Sequence, residues 1–179
     1  MTPTIREQVP IVDDILGEQE AVLRLNLAPY RNHVYRMINF CFAFGELSSE
    51  EQEKIVIAGC FHDIGIWTAK TFDYLPPSID AAASHVRKAG RSEWIGHISQ
   101  MIDQHHKLRR FSGDRLTETF RQGDLVDFSL GTVTCGLDRS FVREVKDRFP
   151  NAGFHAGLLR TAGHWLVRHP LNPLPVTKW

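Results

Sequence analysis

The chain has 179 residues, 42% of them apolar and 23% charged, the composition of an ordinary globular protein of one domain. Lys plus Arg and Asp plus Glu both number 21, so the charge balance makes no case for nucleic acid or a membrane surface as the main partner. The three cysteines, Cys41, Cys60 and Cys135, are widely spaced with no CxxC, which argues against a disulfide framework and a structural zinc knuckle.

That cysteine usage fits a reducing compartment. The opening MTPTIREQVP has no basic stretch leading into an apolar run, and no window is apolar for the length of a bilayer. The expectation is a soluble, cytoplasmic protein with a single domain over residues 1–179. Its core would lie at about 30–130, with a helical extension over 131–179.

Residues 9–27 read as a weak helix interrupted by Gly17, after which Pro29 restarts the chain. Tyr30, Val34, Met37, Ile38 and Cys41 then repeat with helical period, and Gly45 is a natural stop. Ser48-Ser49-Glu50-Glu51 has the form of a capping box. The helix it opens runs through Ile55, Val56, Ile57, Ala58, Cys60 and Phe61, apolar nearly all round and therefore central. His62 and Asp63 close it, and Gly65 is its expected end.

Residues 67–77 (WTAKTFDYLPP) read as a loop, with the next helix beginning near Ser78 or Asp80 and ending at Gly90. Ala82, His85, Val86 and Ala89 fall on one of its faces. A helix over roughly 92–108 puts Trp94, Ile98, Met101, Ile102 and His105 in register. After a loop at Ser112-Gly113-Asp114 comes a helix with Leu116, Phe120, Gly123, Asp124 and Asp127 on one side. Two more amphipathic helices are predicted over 139–149 and 154–168, followed by an extended proline-rich tail, LNPLPVTKW. No segment alternates with period two, so the predicted class is all-α.

Several of these helices place imidazoles and carboxylates on apolar faces, where an unpaired polar group is costly. In chain order they are His33, His62-Asp63, His85, His105 and Asp124. Neighbours in this order are far enough apart for one helix to end and the next to return, so several helices can point ligands into one centre. Singly, each such residue is more often a satisfied core group, and His97, His155, His164 and His169 are read that way. The ordered conjunction points to a metal centre with His62 and Asp63 in the middle. His106 is a rival to His105 and is turned about 100° from its stripe by the helical period. Asp127 is a rival to Asp124.

CFHDIG, with His33 in RNHVYR upstream and Asp124 in QGDLVD downstream, resembles the HD superfamily of metal-dependent phosphohydrolases over roughly residues 30–130. The resemblance implies a helical bundle around a central metal site, with His33, His62, Asp63 and Asp124 as ligands and His62 and Asp63 at the catalytic centre. Gly123 before Asp124 matches the small residue common there. The longer order H…HD…H…H…D, with His85 and His105, is similar to the members that bind two metals through a bridging aspartate. It implies a second metal held by Asp63, His85 and His105. The cofactor expected is a divalent transition metal, two ions rather than one, with Fe or Mn ahead of Zn, Ni or Co. The cyclic di-GMP phosphodiesterases of the superfamily are a poor match, because HHKLRRFSGDR stands where they carry HHExxDGxGYP.

The implied activity is hydrolysis of a small phosphorylated substrate by a metal-activated water. Lys107 and Arg109, with Arg110 beside them, and Lys70 in the 67–77 loop are the candidate substrate cations. The same ligand order is shared with di-iron oxygenases resembling myo-inositol oxygenase and the phosphonate-cleaving oxygenases. MIDQHH is similar to the segment around the corresponding ligand in the inositol enzyme. A non-catalytic metal-binding or nucleotide-binding module is the third alternative. Neither the substrate nor the oligomeric state is legible.

Overall fold

The computed structural model describes residues 3–172 and 175–177. Among them every regular element is helical, as the periodicity predicts.

Residues 9–27 are broken up as expected, but more finely: α1 (Pro10–Glu18), α2 (Glu20–Leu23) and a 3-10 turn at Arg24–Asn26. Pro10 sits in the first turn of α1, where a missing N–H costs nothing. Then α3 (Leu27–Ala43) runs through the middle of the molecule, and its residues 33–41 are buried without interruption. That run includes the polar His33, Arg36 and Asn39.

The next helix, α4 (Ser49–Phe61), opens with the predicted capping box: Ser48 accepts from the Glu51 N–H while Glu51 accepts from the Ser48 N–H. It is buried from Ile55 to its end. Gly65 does not close it but begins a short helix, α5 (Gly65–Thr68). Glycine is required there because a Cβ would collide with the Tyr74 carbonyl and lie 3.0 Å from Ser78 Oγ.

The expected loop over 67–77 is shorter than predicted. The following helix, α6 (Leu75–Lys88), starts ahead of Ser78, with the prolines accommodated in its first turn. After a 3-10 turn at Ser92–Trp94, α7 (Ile95–Gln104) stops before His105, so residues 107–110 leave the helix instead of extending it. Asp114 caps α8 (Arg115–Phe128) by accepting from the Thr117 N–H. α9 (Arg139–Arg148) and α10 (Phe154–Arg168) complete the chain.

The helices α3, α4, α7 and α8 pack side by side, with α6 across α4 and α7 and α1 across α3 and α4. One buried core joins residues from Val12 to Val176. α3 and α8 approach closely at Gly123, where a Cβ would collide with Cys41 Sγ and lie 3.0 Å from the Met37 carbonyl. Cys41 and Cys60 are buried free thiols, as the apolar runs around them predict. No described helix is long and apolar enough to cross a membrane. The predicted extended tail falls partly on residues 173, 174, 178 and 179, outside the described residues; 171–172 and 175–176 are turn and bend.

Candidate metal centre

Four helices deliver the polar residues to one point. His33 comes from α3, His62 and Asp63 from just past the end of α4, His105 from just past the end of α7, and Asp124 and Asp127 from α8. None of the six is more than 4% exposed.

The two helix ends use the same local device. The last carbonyls of a helix lack intrahelical donors, and each histidine folds its ring back onto one of them. His62 Nδ1 donates to the Gly59 carbonyl at 2.8 Å, and His105 Nδ1 donates to the Ile102 carbonyl at 2.6 Å. His33 Nδ1 instead donates to Asp127 Oδ2 at 2.6 Å. These partners only accept, so the proton of each neutral ring sits on Nδ1 and each Nε2 turns its lone pair inward.

The inward atoms converge. His33 Nε2 and His62 Nε2 are 2.9 Å apart. Asp63 Oδ2 lies 3.4 Å from His62 Nε2 and 3.8 Å from His33 Nε2, and Asp124 Oδ1 lies 3.7 and 3.8 Å from the same two atoms. On the other side of the Asp63 carboxyl, Oδ1 is 3.6 Å from His105 Nε2. Asp63 Oδ1 and His105 Nε2 are buried and have no hydrogen-bond partner. Orphaned acceptors in such a place cost on the order of 1–3 kcal/mol each unless a cation joins them. His33, His62 and Asp63 form one group that could hold a metal ion; Asp63, His105 and His106 form a second.

The titration of these groups reflects the same crowding. Burial, against the pull of Asp63, lowers His62 to about 3, so it stays neutral at physiological pH. Burial would raise Asp63, but His62, His105 and His33 outweigh it and hold the carboxyl well below the usual range. Asp124 is raised to about 6 by burial. Burial would lower His105, yet Asp63 and Asp124 together raise it. At 3.6 Å the His105–Asp63 contact is too long for a hydrogen bond. The raised value and the two unpartnered atoms lie at the same Asp63–His105 gap.

Aromatic rings wall the centre. Phe154 stacks on His33 with centroids 4.2 Å apart, Phe120 meets His62 edge-on at 5.9 Å, and Tyr30 lies 6.1 Å from both His33 and His62.

The structure thus brings together five of the expected ligands, His33, His62, Asp63, His105 and Asp124, and leaves His85 out. The His85 ring packs 5.3 Å from Phe61 and lines a surface cleft with Asp14, Glu53 and Ile57. The reason is helix direction. The start of α6 lies at the Asp63–Gly65 end of α4, so its far end, with His85, reaches the α4 face carrying Glu53, Ile57 and Phe61. The place expected for His85 beside Asp63 and His105 is taken by His106, whose Nε2 lies 2.5 Å from the Tyr74 hydroxyl.

Asp127 is not among the inward donors. Both of its oxygens are committed to His33 and Arg36.

Of the expected substrate cations, Arg109 and Lys70 are exposed. Lys70 has φ +53° and lines a surface cleft with Arg24 and Trp67. Arg110 lines another, of about 540 Å³, with Phe44 and Arg115. Lys107 is half-buried, two residues past His105. His97 bonds Asp114 at 2.8 Å, the ordinary role expected of it.

Arg36, Tyr74, Phe154 and His155 were missed as neighbours of the centre. Arg36 alone had a visible signal, its place one turn from His33 in RNHVYR. Comparison with family models, curated proteins and solved structures gives no match for this chain.

Proposed function

We propose that the protein is a metal-dependent hydrolase of the HD type, acting on a small phosphate ester or nucleotide. The observation that carries this reading is the convergence of three Nε2 atoms and two carboxylates in the buried interior, with every Nδ1 of the three rings tied back to an acceptor-only partner. A purely structural polar cluster would satisfy its own members, whereas here Asp63 Oδ1 and His105 Nε2 stay orphaned.

His33, His62, Asp63 and Asp124 would hold a divalent transition metal, with Fe and Mn ahead of Zn, Co and Ni by analogy with the resemblance. Such a metal, when bound, supplies Lewis acidity toward an ester oxygen and an acidified water. The chain's own part is to aim the imidazoles, through the Gly59 and Ile102 carbonyls and Asp127. The Tyr30, Phe120 and Phe154 rings exclude bulk water.

Di-iron oxygenation is the second reading, and the observation favouring it is the second group around Asp63 Oδ1, His105 and His106. The displacement of His85 removes one of the ligands it was expected to use.

The test is elemental analysis of the purified protein, turnover of a panel of phosphate esters with Mn, Fe, Co or Zn, and EPR of partly reduced samples. Metal-dependent ester hydrolysis abolished by His62→Ala and Asp63→Ala is expected. A mixed-valent di-iron signal with no esterase activity would move the assignment to the oxygenase. Absence of bound metal, with both variants indistinguishable from wild type, would sink both readings.

A further inference from the structure

Residues 131–179 carry no motif, yet the junction between α9 and α10 reaches the metal centre at three points. The Phe149 carbonyl accepts from Arg36 Nη1 at 2.9 Å, His155 Nε2 donates to the Asp127 carbonyl at 3.0 Å, and Phe154 stacks on His33. Between these points lies a continuous chain of charged groups. Arg36 grips Asp127 with two parallel bonds, Nε to Oδ1 at 2.5 Å and Nη2 to Oδ2 at 2.8 Å. The same Oδ2 accepts His33 Nδ1 at 2.6 Å. Arg36 and Asp127 are each 2% exposed.

A buried ion pair is weak evidence for stability, since apolar residues of similar volume often serve as well. What a bidentate pair does provide is geometric fixity. The Asp127 carboxylate cannot turn without breaking a bond to Arg36, and Arg36 cannot shift without releasing Phe149. With Asp127 so fixed, the His33 ring has one tautomer and one tilt, both of which direct Nε2 at His62, Asp63 and Asp124.

We infer that Arg36 and Asp127 are positioning residues that set the metal affinity of the centre through His33, with the α9–α10 junction as their anchor. This rests on the metal reading given above. Partners of this kind raise ligand basicity and hold ring orientation, and their loss lowers metal affinity roughly 10–100-fold.

The test compares Asp127→Asn and Arg36→Lys with Glu118→Gln. Glu118 forms an equally bidentate buried pair on the same helix, with Arg121 at 2.7 and 2.8 Å, but it is not among the residues of the centre. Co(II) and Zn(II) affinity is measured by competition with a chromophoric chelator, next to thermal unfolding and circular dichroism. Expected is a fall of roughly 10–100-fold in affinity for Asp127→Asn and Arg36→Lys, with an altered Co(II) spectrum, while Glu118→Gln loses stability and keeps wild-type affinity.

Wild-type affinity in Asp127→Asn, or an affinity loss in Glu118→Gln as large as in the other two, overturns the inference and leaves the metal reading standing. Should Asp127→Asn fail to fold, Arg36→Lys, which keeps the charge and loses the two-pronged grip, decides the matter alone. Wild-type protein that binds neither ion overturns both.

Discussion

His33 Nε2 and His62 Nε2 face one another at 2.9 Å in the buried interior, although the Nδ1 of each ring already donates to another partner. Two neutral imidazoles so arranged have no proton to share. A cation there would relieve the contact, and the flanking Asp63 and Asp124 carboxylates leave a place that could hold one.

Adding a divalent transition metal should therefore stabilise the folded protein by mass action, by about 2.7 kcal/mol at a hundredfold excess over Kd. Thermal unfolding in EDTA and with Mn, Fe(II), Co or Zn measures this. His62→Ala should abolish the shift. A melting temperature indifferent to every one of these metals would count against the centre.

The placement of His85 makes a sharper claim. His85→Ala should leave metal stoichiometry and affinity at wild-type values, whereas His105→Ala should lower them, because His105 has its Nε2 at Asp63 and His85 lies in the cleft with Glu53 and Ile57. Equilibrium dialysis with metal analysis reads both variants. A loss of metal in His85→Ala equal to that in His105→Ala would show that the ring at Phe61 reaches the centre after all.

Gly123 lets α8 approach α3 closely enough for Asp124 to meet His33. Gly123→Ala should destabilise by about 1–3 kcal/mol or more, since the added methyl meets the Met37 backbone as well as the Cys41 side chain. Chemical denaturation measures this, and Cys41→Ala in the same chain should recover only part of the loss. An unchanged midpoint for Gly123→Ala would contradict the packing described.

Asp114 caps the helix that carries Asp124 and Asp127, and its removal in Asp114→Ala should cost about 1 kcal/mol at neutral pH. Burial would raise Asp114, but the bonds from Thr117 and His97 lower it below the ordinary carboxylate value. A lowered folded-state pKa means the stabilisation is complete above the unfolded value, about 4, and is lost as the pH falls through the lower folded value. The stability gap between wild type and Asp114→Ala should accordingly narrow in acid and stay level from pH 6 to 8. A gap that widened toward low pH would contradict this assignment.

How much of this was legible beforehand differs from residue to residue. The helix over 30–41, the capping box at Ser48 and Glu51, and the burial of the α4 end follow from spacing and residue type, because a helical face repeats with the backbone's own period. The same periodicity put His33, His62-Asp63, His105 and Asp124 on inward faces in the right order. It could not rank His85 against these, because face and burial say nothing of helix direction. Only the packing of α6 with its start at Gly65 carried His85 to the α4 face of Glu53, Ile57 and Phe61, away from the inward donors. Asp124 and Asp127 share one face, so the division of labour between them depended on where Arg36 lay across the interface. The role of residues 149–155 had no local signature at all. Short-range periodicity is a property of the chain, whereas hydrogen bonds between residues as far apart as Arg36 and Phe149 exist only once the helices have docked.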